Sequence, residues 1–184
     1  LKMVWKINYD CGNVEGNNPF EGHTYNHGKK TVKTPIFKRE TLLDIIDLAK
    51  NEPQKNQLIF KICLLTGCRP KEICSLKSKY LELHSEHWIF QIVEGKNESA
   101  KRRIPVPKVL LDEALNLKQL KEDNELLIGI SEKECSRWFS TLKSNLPYTT
   151  DAKFYSARAL FATMCERSAI KEGLASALMG HKNA

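Results

Sequence analysis

Nothing in the sequence approaches the roughly 18 consecutive apolar residues that a membrane-spanning helix needs, and the opening LKMVWKINYD lacks the apolar core of a secretory signal. The expected workplace is the cytoplasm, with no membrane partner. Metal-ligand spacing is missing as well. The six cysteines, Cys11, Cys63, Cys68, Cys74, Cys135 and Cys165, form no C-x-x-C pair and no Cys/His group of zinc-finger spacing. They read as reduced structural thiols, and Cys63, inside an apolar run, as a small hydrophobe. No metal site is expected. Internal repeats and low-complexity tracts are also lacking.

What is present is a basic chain of one-domain size. The 184 residues carry 29 Lys plus Arg against 22 acidic residues, a net charge of +7, and their length fits one domain with a short piece of a neighbour. The distribution is more telling than the total. Lys29, Lys30, Lys33, Lys38 and Arg39 lie together with no acid among them, and Lys96, Lys101, Arg102, Arg103 and Lys108 are opposed only by Glu98. Such clusters attract a polyanion with an affinity that falls steeply as salt rises. They are equally what two solvated loops look like.

Residues 1–8 read as the end of a helix, followed by a turn-rich stretch (Gly12, Gly16, Asn17, Asn18, Pro19, Gly22, Gly28) of linker character. The main domain is expected from residue 34. Helical periodicity starts near Thr41, with Leu42, Leu43, Ile45, Ile46 and Ala49 as its apolar stripe. A buried helix over about 55–66 carries Leu58, Ile59, Ile62, Cys63 and Leu65 and stops at Gly67; Pro70 then opens a short helix with Glu72, Ile73 and Leu76. Strands are expected near 80–84, 87–93 and 102–106, with Gly95–Ala100 as a hairpin loop, and helices near 108–120, 131–143, 153–167 and 171–179. The fold class is α+β, mainly helical with a small antiparallel three-stranded sheet.

Four segments carry chemistry. In TGCRPKEI, Arg69 stands at the mouth of a helix, placed to hold a phosphate oxygen or, more plainly, to pair with Glu72. In GKNESAKRRIP, Lys96 sits on a hairpin loop where a lysine could protonate a leaving oxygen, or be one polar residue of a solvated turn. In FYSARALFAT, Arg158 lies among apolar and small residues, where an unpaired guanidinium is costly, so it must pair internally or face an anion. In the last, Ile170, Leu174 and Leu178 form a stripe expected to pack a helix on the core, and Gly180 leaves His181 in a turn, a place usual for capping or surface histidines.

In this order the segments resemble the tyrosine recombinase family, the phage integrases and related site-specific recombinases, over roughly residues 36–184. The resemblance implies that family's catalytic-domain fold. It makes Arg69 the first catalytic arginine, Glu72 the acidic residue that supports it, Lys96 the catalytic lysine, Arg158 the second arginine and His181 a phosphate contact. NPFEG is similar to the passage from the family's DNA-clamping domain, so residues 1–33 are expected to be the end of that upstream core-binding domain with its linker, and 34–184 a catalytic domain incomplete at its C-terminus. Two positions depart from the family. Tyr155 stands where it most often has histidine, and a phenol, with its pKa near 10, shuttles protons less well at neutral pH. The family's nucleophilic tyrosine, about nine residues past the histidine, is not among these residues.

The chemistry implied is transesterification at a DNA phosphodiester through a 3′-phosphotyrosyl link, without ATP, cofactor or metal. Arg69 and Arg158 would neutralise the transition state, with His181 and Tyr155 donating hydrogen bonds and Lys96 protonating the departing 5′ oxygen. Lys29, Lys30, Lys33, Lys101, Arg102 and Arg103 would hold the DNA backbone. The implied partner is duplex DNA at recombination sites. The full-length protein would be a homotetramer on DNA, this polypeptide a monomer, in a bacterial or phage-encoded, nucleoid-associated setting. Alternatives are a non-catalytic DNA-binding relative, a type IB topoisomerase-like enzyme, or a basic helical interaction module. The expectation for the isolated polypeptide is weak, strongly salt-dependent DNA binding without cleavage; a covalent protein–DNA adduct on a denaturing gel would contradict it.

Overall fold

A computed structural model describes residues 2–21, 34–93 and 101–181. The chain divides into two compact units, Leu1–Lys33 and Thr34–Ala184. In the first, helix α1 (Lys2–Asp10) stacks Trp5 on Tyr9 one turn later, with ring centroids 5.0 Å apart.

The second unit runs through α2 (Arg39–Ala49), α3 (Gln54–Thr66), α4 (Pro70–Cys74), a 3₁₀ turn (Ser78–Tyr80), β1 (Leu81–His84), β2 (His87–Ile92), β3 (Arg102–Pro105), α5 (Lys108–Gln119), α6 (Glu132–Ser144), α7 (Ser156–Arg167) and α8 (Glu172–Met179). The strands form one antiparallel sheet in the order β1-β2-β3. This is the mainly helical α+β architecture that the sequence leads one to expect. Ser85 and Glu86 join β1 to β2, both with positive φ (45° and 70°), the backbone sign that matches the twist of a two-residue hairpin. The Gly95–Ala100 hairpin loop lies outside the described residues, although β2 and β3 pair in register, Phe90 with Ile104 and Ile92 with Arg102. Among the described residues, no helix is long and apolar enough to cross a membrane.

α3 is the central helix, burying Leu58, Ile59, Phe60, Ile62 and Cys63 while packing against α4, α5 and α7. At one end of the core, Phe60, Phe139, Phe154 and Trp138 make mutual ring contacts, mostly edge-to-face, and Phe37 joins Phe60 and Phe139 with centroids 6.1 and 6.0 Å away. Phe37 thereby ties the start of the second unit into its centre.

Several expected packing faces shift. On α2 the buried positions are Thr41, Ile45 and Ala49, an i, i+4, i+8 row that turns Leu43 and Ile46 outward. Leu65, expected inside, is exposed, because α3 closes its buried face with Thr66 instead. Leu76 falls beyond the end of α4 yet is buried. Of the Ile170-Leu174-Leu178 stripe only Leu178 is shielded: Ile170 precedes the helix, Leu174 is exposed, and Ala175, Ser176, Leu178 and Met179 are the shielded residues of α8, which packs against α7 and β3. α7 starts at Ser156, three residues later than the expected start at 153. The six cysteines are free, but Cys11 is exposed and so lacks the packing role expected of it.

Phe139 is 2% exposed at the middle of the aromatic cluster. Phe139→Ala is expected to lower unfolding free energy by about 3–5 kcal/mol, read from urea denaturation followed by circular dichroism.

Candidate active site

Two helices end alike, and the site is built where those ends meet. α3 stops because Gly67 takes a left-handed conformation (φ 67°), its N–H closing on the Cys63 carbonyl at 3.1 Å. The reversal buries Cys68 and brings Arg69 out just ahead of Pro70, which begins α4. A side chain at Gly67 would also force the Phe161 ring to move, since its Cβ would stand 2.3 Å from that ring. α8 stops likewise at Gly180 (φ 64°), which delivers His181 into the space next to the α3 terminus.

Arg158, on the first turn of α7, joins the two ends. It is only 2% exposed. Its Nη1 donates to the Gly67 carbonyl, and its Nη2 donates to the Met179 carbonyl at 2.8 Å and to His181 Nε2 at 2.8 Å. Both carbonyls belong to helix C-termini, which are short of backbone donors and carry the negative end of the helix dipole. A buried guanidinium is thus satisfied without a carboxylate of its own. Burial, and then the nearby charge of Arg69, push its pKa down.

Arg69 donates Nη1 to Glu72 Oε1 at 2.7 Å and, more weakly, to the same Met179 carbonyl at 3.5 Å, while its backbone N–H reaches Glu72 Oε2 at 2.9 Å. Pairing with Glu72 and facing an anion prove compatible, because Nε and Nη2 of Arg69 make no hydrogen bond to the described residues and its side chain is 34% exposed. The helix-dipole reason for placing an anion here does not hold, since α4 is a single short turn of five residues.

Glu72 is buried and serves two arginines. Arg102 Nη2 donates to Oε2 at 2.8 Å, Arg102 Nη1 to Oε1 at 3.2 Å, and Arg102 Nε to the Leu178 carbonyl at 2.7 Å. Burial alone would raise the Glu72 pKa, but the hydrogen bonds from Arg102, then those from Arg69, outweigh it and hold the carboxyl below its ordinary value.

The sequence expectation for Arg102 was a hand on the DNA backbone; its side chain is instead 8% exposed and committed to Glu72 and α8. The reason is strand alternation: Arg102 shares its face with Ile104, which is buried, while Arg103 takes the other face and is exposed beside His84 Nε2 at 3.1 Å. That parity was the available signal. Lys101 is exposed. Tyr155 occupies the position just before α7, three residues ahead of Arg158, without a capping side-chain hydrogen bond, and is 41% exposed. Lys96, Lys29, Lys30 and Lys33 lie outside the described residues. Arg69, Arg158, His181 and Glu72, scattered along the sequence, come together.

The sequence matches the Phage integrase family over residues 36–184. The chain belongs to that family. Comparison with curated protein sequences gives no match. Among solved structures, the chain is similar to a lambda integrase dimer bound to a COC′ core site (TM-score 0.68, 19% identity, covering 99% of this chain and 54% of that one). It is also similar to the Tn1549 transposon integrase in complex with circular intermediate DNA (TM-score 0.71, 16% identity, 99% of this chain and 68% of that one). A third likeness is to XerA recombinase (TM-score 0.62, 16% identity, 85% and 58%). The chain thus spans a little over half the length of the lambda integrase chain it resembles, and these likenesses establish the shared fold of a tyrosine recombinase catalytic domain.

In this integrase-family chain His181 is a neutral ring. A guanidinium only donates, so the Nε2 facing Arg158 must be the accepting nitrogen and the proton sits on Nδ1. Partial burial, then the charges of Arg158, Arg69 and Arg102, lower its pKa. Unfolding returns the ring to about 6.5, so below that pH the unfolded chain binds more protons than the folded one. The contribution of the neutral ring to stability is therefore complete above about pH 6.5 and is lost on acidification. Histidine-selective NMR titration should find His181 protonating below the ordinary histidine range, and its replacement by Asn should flatten stability against pH in that window.

Proposed function

We propose that this chain is the phosphodiester-binding core of a site-specific DNA recombinase that breaks and rejoins strands by transesterification. The observation that carries the reading is Arg158: a buried guanidinium bridging two helix ends, with His181 on one side and Arg69, partly unpartnered, on the other. Among the described residues, Arg69 is paired with Glu72 through one nitrogen and Arg158 is held by two backbone carbonyls, an arrangement that suits a non-bridging phosphate oxygen.

In this reading a tyrosine oxygen attacks phosphorus in line and the bond to the 5′ oxygen breaks. Arg69 and Arg158 balance the charge that builds on the phosphoryl oxygens, with the Nδ1–H of His181 and the Tyr155 hydroxyl as further donors. Lys96 gives its proton to the departing 5′ oxygen. A 3′-phosphotyrosyl link results, and a second 5′-hydroxyl reverses the step. The tyrosine is not at the family's position within these 184 residues, so this polypeptide by itself is proposed to bind DNA without cleaving it. Lys101 and Arg103, with Lys29, Lys30 and Lys33, are proposed to hold the DNA backbone; Arg102 leaves that group. The neighbours bound to DNA, the lambda integrase tetramer on a Holliday junction among them, support duplex DNA as partner and a tetramer on paired sites for the full-length protein. This polypeptide alone is expected to be a monomer.

Tyr155 favours a second reading, a relative that binds DNA with weakened or lost catalysis, since a phenol replaces the usual imidazole.

Fluorescence anisotropy on a short duplex tests the first reading. Log affinity should fall linearly with log salt, by about 0.9 for each phosphate engaged, and Arg69→Gln and Arg158→Gln should each weaken binding. In a polypeptide extended to carry the tyrosine, either change should slow strand cleavage on the order of a hundredfold or more. Arg69 is partly exposed, so its variant is informative even if the Arg158 variant folds poorly. Binding indifferent to salt and to both substitutions overturns the proposal.

A further inference from the structure

We propose that Arg102 is a positioning residue for this site: gripping Glu72 with both η nitrogens and the Leu178 carbonyl with Nε, it locks the last turn of α8 onto α4 and so fixes where His181 and Arg69 point. The inference rests on reading the site as a phosphodiester pocket.

Three observations converge. Leu178 is the residue before Met179, whose carbonyl Arg158 and Arg69 share, and only Gly180 separates that carbonyl from His181. Whatever fixes the Leu178 carbonyl therefore fixes the platform on which both reacting arginines rest. Second, the Glu72 carboxylate that aligns Arg69 is itself held at both oxygens by Arg102, so the orientation of Arg69 depends on a second guanidinium. Third, Arg102 packs so closely on the α8 terminus that a Cβ at Gly180 would lie 2.7 Å from its Nη1. The guanidinium fills the corner between β3, α4 and α8.

The geometry asks for a fork. Nε, Nη1 and Nη2 reach acceptors in two directions at fixed angles, which a lysine ammonium on a flexible stem cannot reproduce even though its charge is the same. Charge and positioning can thus be separated with Arg102→Lys and Arg102→Gln. Both variants, checked for folding by circular dichroism, would be followed by the NMR titration of His181 and by anisotropy on the short duplex. If Arg102 positions the site, both variants release His181 from Arg158. Its titration then moves up toward the ordinary histidine range, and DNA affinity falls on the order of tenfold to a hundredfold, as when a residue orienting a ligand group is lost elsewhere. Lysine does not rescue. If Arg102 matters only through charge or general stability, Arg102→Lys keeps the unmodified titration, and that result overturns the proposal whatever happens to DNA binding. Failure of the underlying reading looks different: the unmodified chain's His181 signal would then not respond to saturating DNA.

Discussion

Arg69, Arg102 and Arg158 stay together because Glu72 and the carbonyl ends of α3 and α8 face them. Two like charges about 4 Å apart repel by roughly 4 kcal/mol at an effective dielectric near 20, a repulsion that would scatter these groups if nothing opposed it. A helix C-terminus supplies about half a negative charge, and two such ends converge on Arg158 alone. Arg69, with its side chain 34% exposed, is the guanidinium that this arrangement leaves on the solvent side.

Preorganisation follows from the same arrangement. The η nitrogens of Arg158 and the Nε of Arg102 are held by backbone carbonyls, which cannot swing away as side chains can, and those carbonyls belong to the ends of α3 and α8. An arriving phosphate oxygen would meet dipoles already oriented, which is the condition under which electrostatic stabilisation of a transition state is strongest. His181 fits that pattern. Its Nε2 accepts from Arg158, which leaves Nδ1–H to offer.

How much of this was legible in the sequence varied with the physics behind each signal. Helix ends at Gly67 and Gly180 were readable because a left-handed cap so often needs glycine, and the sheet was readable from alternation in HWIFQIV and RRIPV. The meeting of Arg69, Arg158 and His181 came from motif order and not from local chemistry, since each alone has an ordinary structural explanation. Packing faces were less legible. Counting apolar residues puts Leu43, Ile46 and Leu174 inside, whereas helix docking buries Thr41 and Ala49, because close approach between elements rewards small side chains as well as apolar ones. Arg102 departs from its expected place for a related reason: a run of basic residues reads as one surface, although adjacent strand residues point to opposite faces. The backbone carbonyls that organise the site carry no side-chain signature and could not be found from residue identities at all.

Gly180 ends α8 in a conformation that disfavours any side chain, and the same atom position is overlapped by the Arg102 guanidinium. The two positions form a steric interlock between a helix terminus and a strand. Evolutionary drift at either should be correlated: a bulkier residue at 180 demands a shorter one at 102, and a shorter one at 102 leaves the helix terminus without its clasp. Covariation between these two columns is a signature that other Phage integrase family members built on the same corner should carry.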